Sequence, residues 1–269
     1  MAESVDTVPS LAEEERTPLD RDLSTYVYGI VPEDVQVSDD ARGVGAAPVR
    51  LVRHGKIGAL VSEVAVTGPL GTPDDLVAHQ QLLDATAAEV PVLPLRFGAV
   101  LTNREAVVDE LLAPHHDEFL AALDELEGRA EFVVKGRYDE RAVLMEVLNE
   151  NVEAAQLRDE IRGKPEAATR EARIRLGEVV NQAVSAKREA DTESVLDRLT
   201  PLSVFTVIRE PSHERDAVHL ALLVESDRRD ALEGAVEEYS RLWAGRIELQ
   251  LHGPLAPYDF VVSAGEGGG

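Results

Sequence analysis

Thr25-Tyr-Val-Tyr-Gly-Ile-Val31 is a run of β-branched and aromatic residues stopped by Pro32, which reads as a buried strand and marks where folded structure is expected to begin. Upstream of it, residues 1–24 hold seven acidic and two basic residues, Pro9 and Pro18, and little apolar side chain. Such a segment buries too little surface to offset the entropy of ordering, so it reads as a disordered acidic tail. Downstream, Pro48-Val-Arg-Leu-Val-Arg53 alternates with period two, His54-Gly55 supplies a turn, and Ile57–Val64 resumes strand character; together they predict a hairpin.

A helix follows. Thr72 is placed to cap it, Pro73 sits at the first helical position, and Asp74 and Asp75 favour the positive end of its dipole. Its apolar stripe is expected through Leu76, Leu83, Ala87 and Val90. Pro91-Val-Leu-Pro-Leu95 and Phe97–Leu101 are extended, and their two prolines suit an edge or a bulge better than a central strand. Thr102-Asn-Arg-Glu105 matches a capping box for the next helix. Pro114 breaks or kinks that helix, which resumes through Phe119, Leu120, Leu123 and Leu126 to Gly128, ahead of the strand Ala130–Lys135. Interleaved elements of this kind predict an α+β fold with helices on one face of a mostly antiparallel sheet.

From Asp139 to about Leu199 the composition turns to Ala, Glu, Arg and Leu with Pro165 as an interruption, the signature of two long helices packed on the domain. Leu202–Ile208 and Ala217–Val224 are further strands. Ser226 or Asp227 can cap a helix with the stripe Leu232, Val236, Tyr239 and Trp243, and Arg246–Leu251 returns as an alternating strand. The expected organisation is a tail at 1–24, an α+β domain at 25–138, a helical segment at 139–200, a second α+β domain at 201–263 that echoes the first, and a flexible Gly-rich tail at 264–269.

Composition narrows the function. The chain has 269 residues, 44% of them apolar but only 4% aromatic, so an aliphatic core is available. A formal net charge of −24 repels phosphate backbones and anionic lipid headgroups, which argues against nucleic acid and membrane partners. The aliphatic run Leu220–Val224 falls far short of the roughly 20 residues of a bilayer-spanning helix. No basic flank and apolar stretch opens the sequence, so a cytoplasmic location is expected. Without cysteine, thiol catalysis, disulfides and thiolate metal sites are excluded.

Catalytic patterns are not found, and neither a metal nor another cofactor is expected. His115 and His116 are adjacent and point apart, reading as solvated residues beside a helix kink. Asp75 and His79 share a helix face but lack a third ligand, reading as a surface pair. His54, His213, His219 and His252 have no recognised partner nearby, and no Gly-x-Ser-x-Gly turn presents a serine. The basic group Arg170, Arg173, Arg175, Lys187 and Arg188 could dock an acidic partner, but pairing within its helix to Glu166, Glu171 and Glu189 is the simpler expectation.

Three stretches together resemble the gas vesicle protein F/L family. They are Tyr26-Val-Tyr-Gly-Ile-Val31; Val92-Leu-Pro-Leu-Arg-Phe-Gly98 followed by Gly128-Arg-Ala-Glu-Phe-Val-Val-Lys135; and Gly253-Pro-Leu-Ala-Pro-Tyr-Asp-Phe-Val261. The resemblance covers about residues 25 to 262 in the right order. It departs at Leu255-Ala256, where the family more often has a tryptophan followed by a proline. The resemblance implies two modified ferredoxin-like α/β domains with additional long helices. It also implies a non-enzymatic accessory or minor structural protein of gas vesicles that contacts the hydrophobic main shell subunit and other accessory proteins. An exposed sheet edge could hold such a subunit, and Pro91 and Pro94 mark one candidate edge. Arg96, Phe97 and Tyr258 are the candidate partner-binding residues. The alternative for the first two is a structural role, with Phe97 in the core and Arg96 in an internal ion pair. A ligand-sensing or enzymatic ferredoxin-like module, with a pocket between sheet and helices, is the competing function.

Overall fold

The computed structural model of the chain describes residues 23–65 and 71–261. Most of the acidic tail and the Gly-rich tail therefore lie outside the described residues. The quoted run forms the centre of the first sheet. Strand β1 (Leu23–Pro32) pairs antiparallel with β3 (Ile57–Ala65), and on its other side with the short β4 (Leu93–Pro94) and β5 (Val100–Leu101). β2 (Arg50–His54) closes the expected hairpin onto β3, giving the order β2-β3-β1-β4. The strand starts earlier than composition suggests, because Leu23 and Ser24 already pair with Ala65 and Val64. Gly29 lets β4 approach: a Cβ there would sit 2.8 Å from the Leu93 carbonyl oxygen.

The second sheet consists of β6 (Arg129–Tyr138), β7 (Phe205–Ile208), β8 (Asp216–Glu225) and β9 (Ile247–Leu255), antiparallel throughout in the order β7-β8-β6-β9. Counted within each sheet, both follow the same order, 2-3-1-4. Both also place a helix between their third and fourth strands, α1 (Pro73–Ala87) in the first and α7 (Arg229–Leu242) in the second.

Helix starts follow local chemistry, with two corrections. Thr72 and Asp75 form a full capping box on α1. The next helix, α2 (Arg104–Ala106), is capped by Asn103, whose Oδ1 accepts from Ala106 N at 2.8 Å, and not by Thr102. It runs on as a π-helical stretch, Val107–Leu112, before the turn at Pro114 and α3 (His116–Leu126). α7 has no side-chain cap; Ser226 Oγ instead donates to the Gly128 carbonyl at 2.9 Å, tying the end of β8 to the start of β6.

The expected pair of long helices is three: α4 (Glu140–Glu150), α5 (Val152–Ile161) and α6 (Arg170–Leu199). Asn151 ends α4, and its Oδ1 caps α5 by accepting from Ala154 N, so a single Asx residue converts one run into two helices. Leu176, Val180, Ala183 and Val184 of α6 pack on the α4–α5 core of Val147 and Ala154, as helices packed on the fold rather than as a long coiled coil.

The cores also differ from the expected single covered face. The first sheet is covered on both faces. α1 and the segment around Val44 and Val49 pack over Tyr26, Tyr28, Val31 and Leu60, while the π-helical stretch and α3 pack over Val27, Ile30, Ala59 and Val61. The second sheet buries one face under α6 and α7, with Leu232, Val236, Tyr239 and Trp243 in the predicted stripe. On its other face Leu223 joins the core shared with α3. The stripe on α1 is rotated from expectation: Leu83 is fully buried, Leu76 is exposed, and His79 takes the inward position one turn before Leu83.

Candidate functional site

A cleft of about 1170 Å³ runs between the β4–β5 edge of the first sheet, helix α3 and strand β7 of the second sheet. Its walls are mainly apolar, from Ile30, Leu93 and Phe119 on one side to Phe205, Leu223 and Phe260 on the other, with Arg96, His115, Glu118, Glu125 and Arg129 among them. All three sequence-predicted site residues, Arg96, Phe97 and Tyr258, line it. Arg96 and Phe97 are neighbours in the chain, and the fold brings the distant Tyr258 to the same cleft. A smaller pocket of about 320 Å³ lies between α6 and the β7–β8 region.

Phe97 is half-buried and serves both structure and surface. Its ring lies 5.5 Å from His79 and 6.0 Å from Tyr26, centroid to centroid, inside the 4.5–7 Å range of favourable aromatic pairs. Gly98, at φ +94°, turns its N–H onto Tyr26 Oη at 3.0 Å. Arg96 is exposed and forms no ion pair with another described residue, so the expectation of an internal ion pair is not met.

Tyr258 is positioned by the segment that follows β9. This strap leaves the second sheet after Leu255, just past the cis Gly253–Pro254 bond, and crosses to α1, where Ala256 N donates to Asp84 Oδ1 at 2.9 Å. Gly253 is required there, since a Cβ would sit 2.5 Å from Phe132 Cδ1 and 3.0 Å from the Glu131 carbonyl oxygen. The Tyr258 hydroxyl then meets His79 Nε2 at 2.9 Å, and His79 Nδ1 meets the Tyr26 hydroxyl at 2.9 Å. His79 is 1% exposed, which corrects the reading of Asp75 and His79 as a surface pair; Asp75 is occupied with Thr72 and with Gly45 N. Burial holds the imidazole pKa below its ordinary value, so the ring is neutral. A neutral ring has one N–H and one lone pair, and therefore donates to one hydroxyl and accepts from the other. Burial also pushes the Tyr26 phenol up to about 12 and raises that of Tyr258, where the nearby Asp84 charge adds to the effect.

The strap has a second, charged anchor. Arg209 Nη2 donates to Glu131 Oε1 at 2.8 Å, Arg209 Nε donates to Asp259 Oδ2 at 2.9 Å, and Asp259 N donates to Glu131 Oε2 at 3.2 Å. Glu131 is 1% exposed. Burial, reinforced by the Asp259 charge, raises its pKa far above the usual carboxylate range, with the Asp259 N–H and Arg209 opposing. Phe260 and Val261 continue into the shared core.

Both anchors escaped sequence reading, and only His79 left a local signal, its in-phase spacing with Leu83. Elsewhere, His115 contacts Glu118 and lines the cleft, while His116 Nε2 accepts from Lys56 N, clasping the β2–β3 turn. Ser212 and His213 surround buried Asp216, but both donate to Asp216 Oδ2 and close the β7–β8 turn. The basic group on α6 pairs mostly across elements; the expected pairing within the helix is met by Arg175 with Glu178, not by Glu166, Glu171 or Glu189. Arg175 meets Glu153, Lys187 meets Glu146 and Glu150, and Arg188 donates to the Glu214 and Asp216 carbonyls. Among the described residues no group of three metal-ligating side chains converges, and no helix is long and apolar enough to cross a membrane.

The profile of the family described as "Gas vesicle synthesis protein GvpL/GvpF" matches residues 24–262. "Gas vesicle protein F" of Streptomyces sp. (strain CB03234) is 33% identical over 242 residues, covering 89% of this chain and 100% of that protein. "Gas vesicle protein L" of the same organism is 29% identical over 280 residues, covering 91% and 95%. The crystal structure of the gas vesicle protein GvpF from Anabaena sp. PCC7120 superposes with a TM-score of 0.74 at 26% identity, over 90% of this chain and 99% of that one.

Proposed function

The chain belongs to the gas vesicle synthesis protein GvpL/GvpF family, and from that premise we propose that it is a non-enzymatic accessory or minor structural protein. In this reading it binds the hydrophobic main shell subunit, assists nucleation and assembly of the vesicle, and works in the cytoplasm at the gas vesicle beside other accessory proteins. The observation that carries the reading is the apolar cleft walled by two sheets, with Arg96, Phe97 and Tyr258 along it. Apolar walls shelter an aggregation-prone segment from water at about 25 cal/mol per Å² covered, and a carrier at −24 keeps the complex dispersed by repulsion between copies.

The shared 2-3-1-4 order, with a helix before the fourth strand, supports two modified ferredoxin-like domains. Because β6 (Arg129–Tyr138) is a central strand of the second sheet, the first domain ends before residue 129 and not at 138, and the helical segment 139–200 lies between the first two strands of the second instead of joining the two. The cleft also sits where the competing small-molecule module would need its pocket. At about 1170 Å³, however, it exceeds the roughly 300–1,000 Å³ of most small-molecule sites, which favours a macromolecular occupant.

The test is titration of purified shell subunit with the full chain, scoring the subunit that stays in solution. Retention should saturate near equal molar amounts and weaken at least tenfold in the double variant Arg96→Glu/Phe97→Ser. Retention at strongly substoichiometric amounts, or none at all, overturns the assignment.

A further inference from the structure

We propose that β7 is the docking edge of the cleft: an extended apolar segment of a protein partner adds to it as a fifth strand of the second sheet and sets a carboxylate against Arg96. The inference rests on the cleft being the binding site, and adds how the occupant is recognised.

The sheet edges are not equivalent. β2 carries Arg50, Arg53 and His54, and Arg53 is folded back onto the Glu33 and Val35 carbonyls. β4 is two residues long, and Pro94 has no N–H to offer. β9 carries Glu248 and includes Pro254 one residue before its end. Charges, prolines and shortness are the usual protections of an open edge. β7 has none of the first two: Phe205-Thr-Val-Ile208 contains no charge, proline or glycine. No described strand pairs with its outer side, and Phe205 and Ile208 are 58% and 62% exposed.

The backbone of that edge points outward at known positions. Arg209 N donates to the His219 carbonyl, so residues 205, 207 and 209 turn their backbone groups toward β8. Alternation along an antiparallel pair sends those of Thr206 and Ile208 the other way, to the open side. An added strand gains hydrogen bonds there that a docked helix cannot make, while its side chains enter the cleft lined by Phe205, Val207 and Phe97.

Charge selects the occupant. Two copies of this chain meeting edge to edge would bring −24 against −24. The cleft lining carries both signs: Glu118 meets His115 and Arg129 meets Glu225, Glu125 is acidic, and Arg96 offers an exposed guanidinium without an ion pair among the described residues. An apolar strand carrying one carboxylate matches both features; bidentate Arg–carboxylate pairing adds register to the backbone contacts.

The experiment uses the full chain and purified shell subunit as the probe, reading binding together with amide hydrogen exchange. Binding should slow exchange at Thr206 and Ile208 at least tenfold. Ile208→Pro, which removes an outward N–H, should weaken binding at least tenfold, while Ile208→Ala, which keeps it, loses less than threefold; circular dichroism verifies that both fold. Arg96→Glu should weaken binding and Arg96→Lys largely restore it. Binding that leaves the β7 amides unprotected and protects α3 instead overturns strand addition while sparing the cleft. A dimer of the chain bridged at β7 overturns the choice of occupant. Absence of any binding removes the underlying function as well.

Discussion

The two sheets share one strand order and are dressed differently. Between its first and second strands the first sheet has only the connection containing a 3₁₀ turn at Val44–Ala46, whereas the second has three helices, α4 to α6. After its fourth strand the first sheet adds β5 and the helices through α3, which cover its other face; the second adds only the strap. The first sheet is thus closed on both faces and blunt at β4. The second keeps a bare edge at β7, and its second face is shared with the strap and α3. One topology yields a closed scaffold and an open wall, and the cleft is the line where they meet.

The comparison can be broken first at the equivalent helices. Leu83 of α1 and Leu232 of α7 are both fully buried, and Leu→Ala at such sites costs about 2–5 kcal/mol. Chemical denaturation should therefore show losses of that order at either position. A loss below about 1 kcal/mol at one of them would mean that its sheet does not depend on its helix.

The strap offers a finer test, because its two anchors differ in kind. His79→Phe keeps an aromatic ring in the core but leaves the Tyr26 and Tyr258 hydroxyls without their partner, at a cost of about 1–3 kcal/mol for a buried unsatisfied group. Exchange at residues 256–261 should accelerate while β6 and β8 stay protected.

These anchors also show where the sequence is legible. The cap at Thr72, the β2–β3 hairpin, the runs that became β6 and β8, and the stripe from Leu232 to Trp243 are local signals, and each reads correctly from the sequence. The pair His79–Tyr258 spans 179 positions and Glu131–Arg209 spans 78. Periodicity cannot reveal such partners, so His79 reads as a surface residue and Glu131 as one acid among many. Asn103 shows a subtler limit: Thr102 beside it fits the spacing of a capping box, yet Asn103 makes the cap.

Acidity separates the anchors further. The folded-state pKa of His79 is lowered, so its contribution is full above the ordinary histidine value of 6.5 and lost as pH falls below it. The folded-state pKa of Glu131 is raised, so its contribution is full below the ordinary value of 4.5 and lost as pH rises toward the raised one. Thermal stability followed against pH should lose the acid-side decline contributed by His79 in His79→Phe, and the loss on the rising side in Glu131→Gln. The same profile in both variants would show that neither group governs the strap.

The smallest effect on stability is expected at the bare edge. Phe205→Ser removes an exposed apolar group from the cleft wall, and surface changes of this type stay within about 0.5 kcal/mol, so the folded wall should be unchanged while partner binding falls. A large stability loss would mean that β7 is part of a packed core.

The most direct measurement places a photo-crosslinking side chain at Arg96, at Phe205, or at Leu242, which is 72% exposed on α7 away from the cleft, and irradiates each variant with the shell subunit present. The account predicts adducts with the shell subunit from positions 96 and 205 and none from 242. Adducts from 242 with none from 96 or 205 would contradict it.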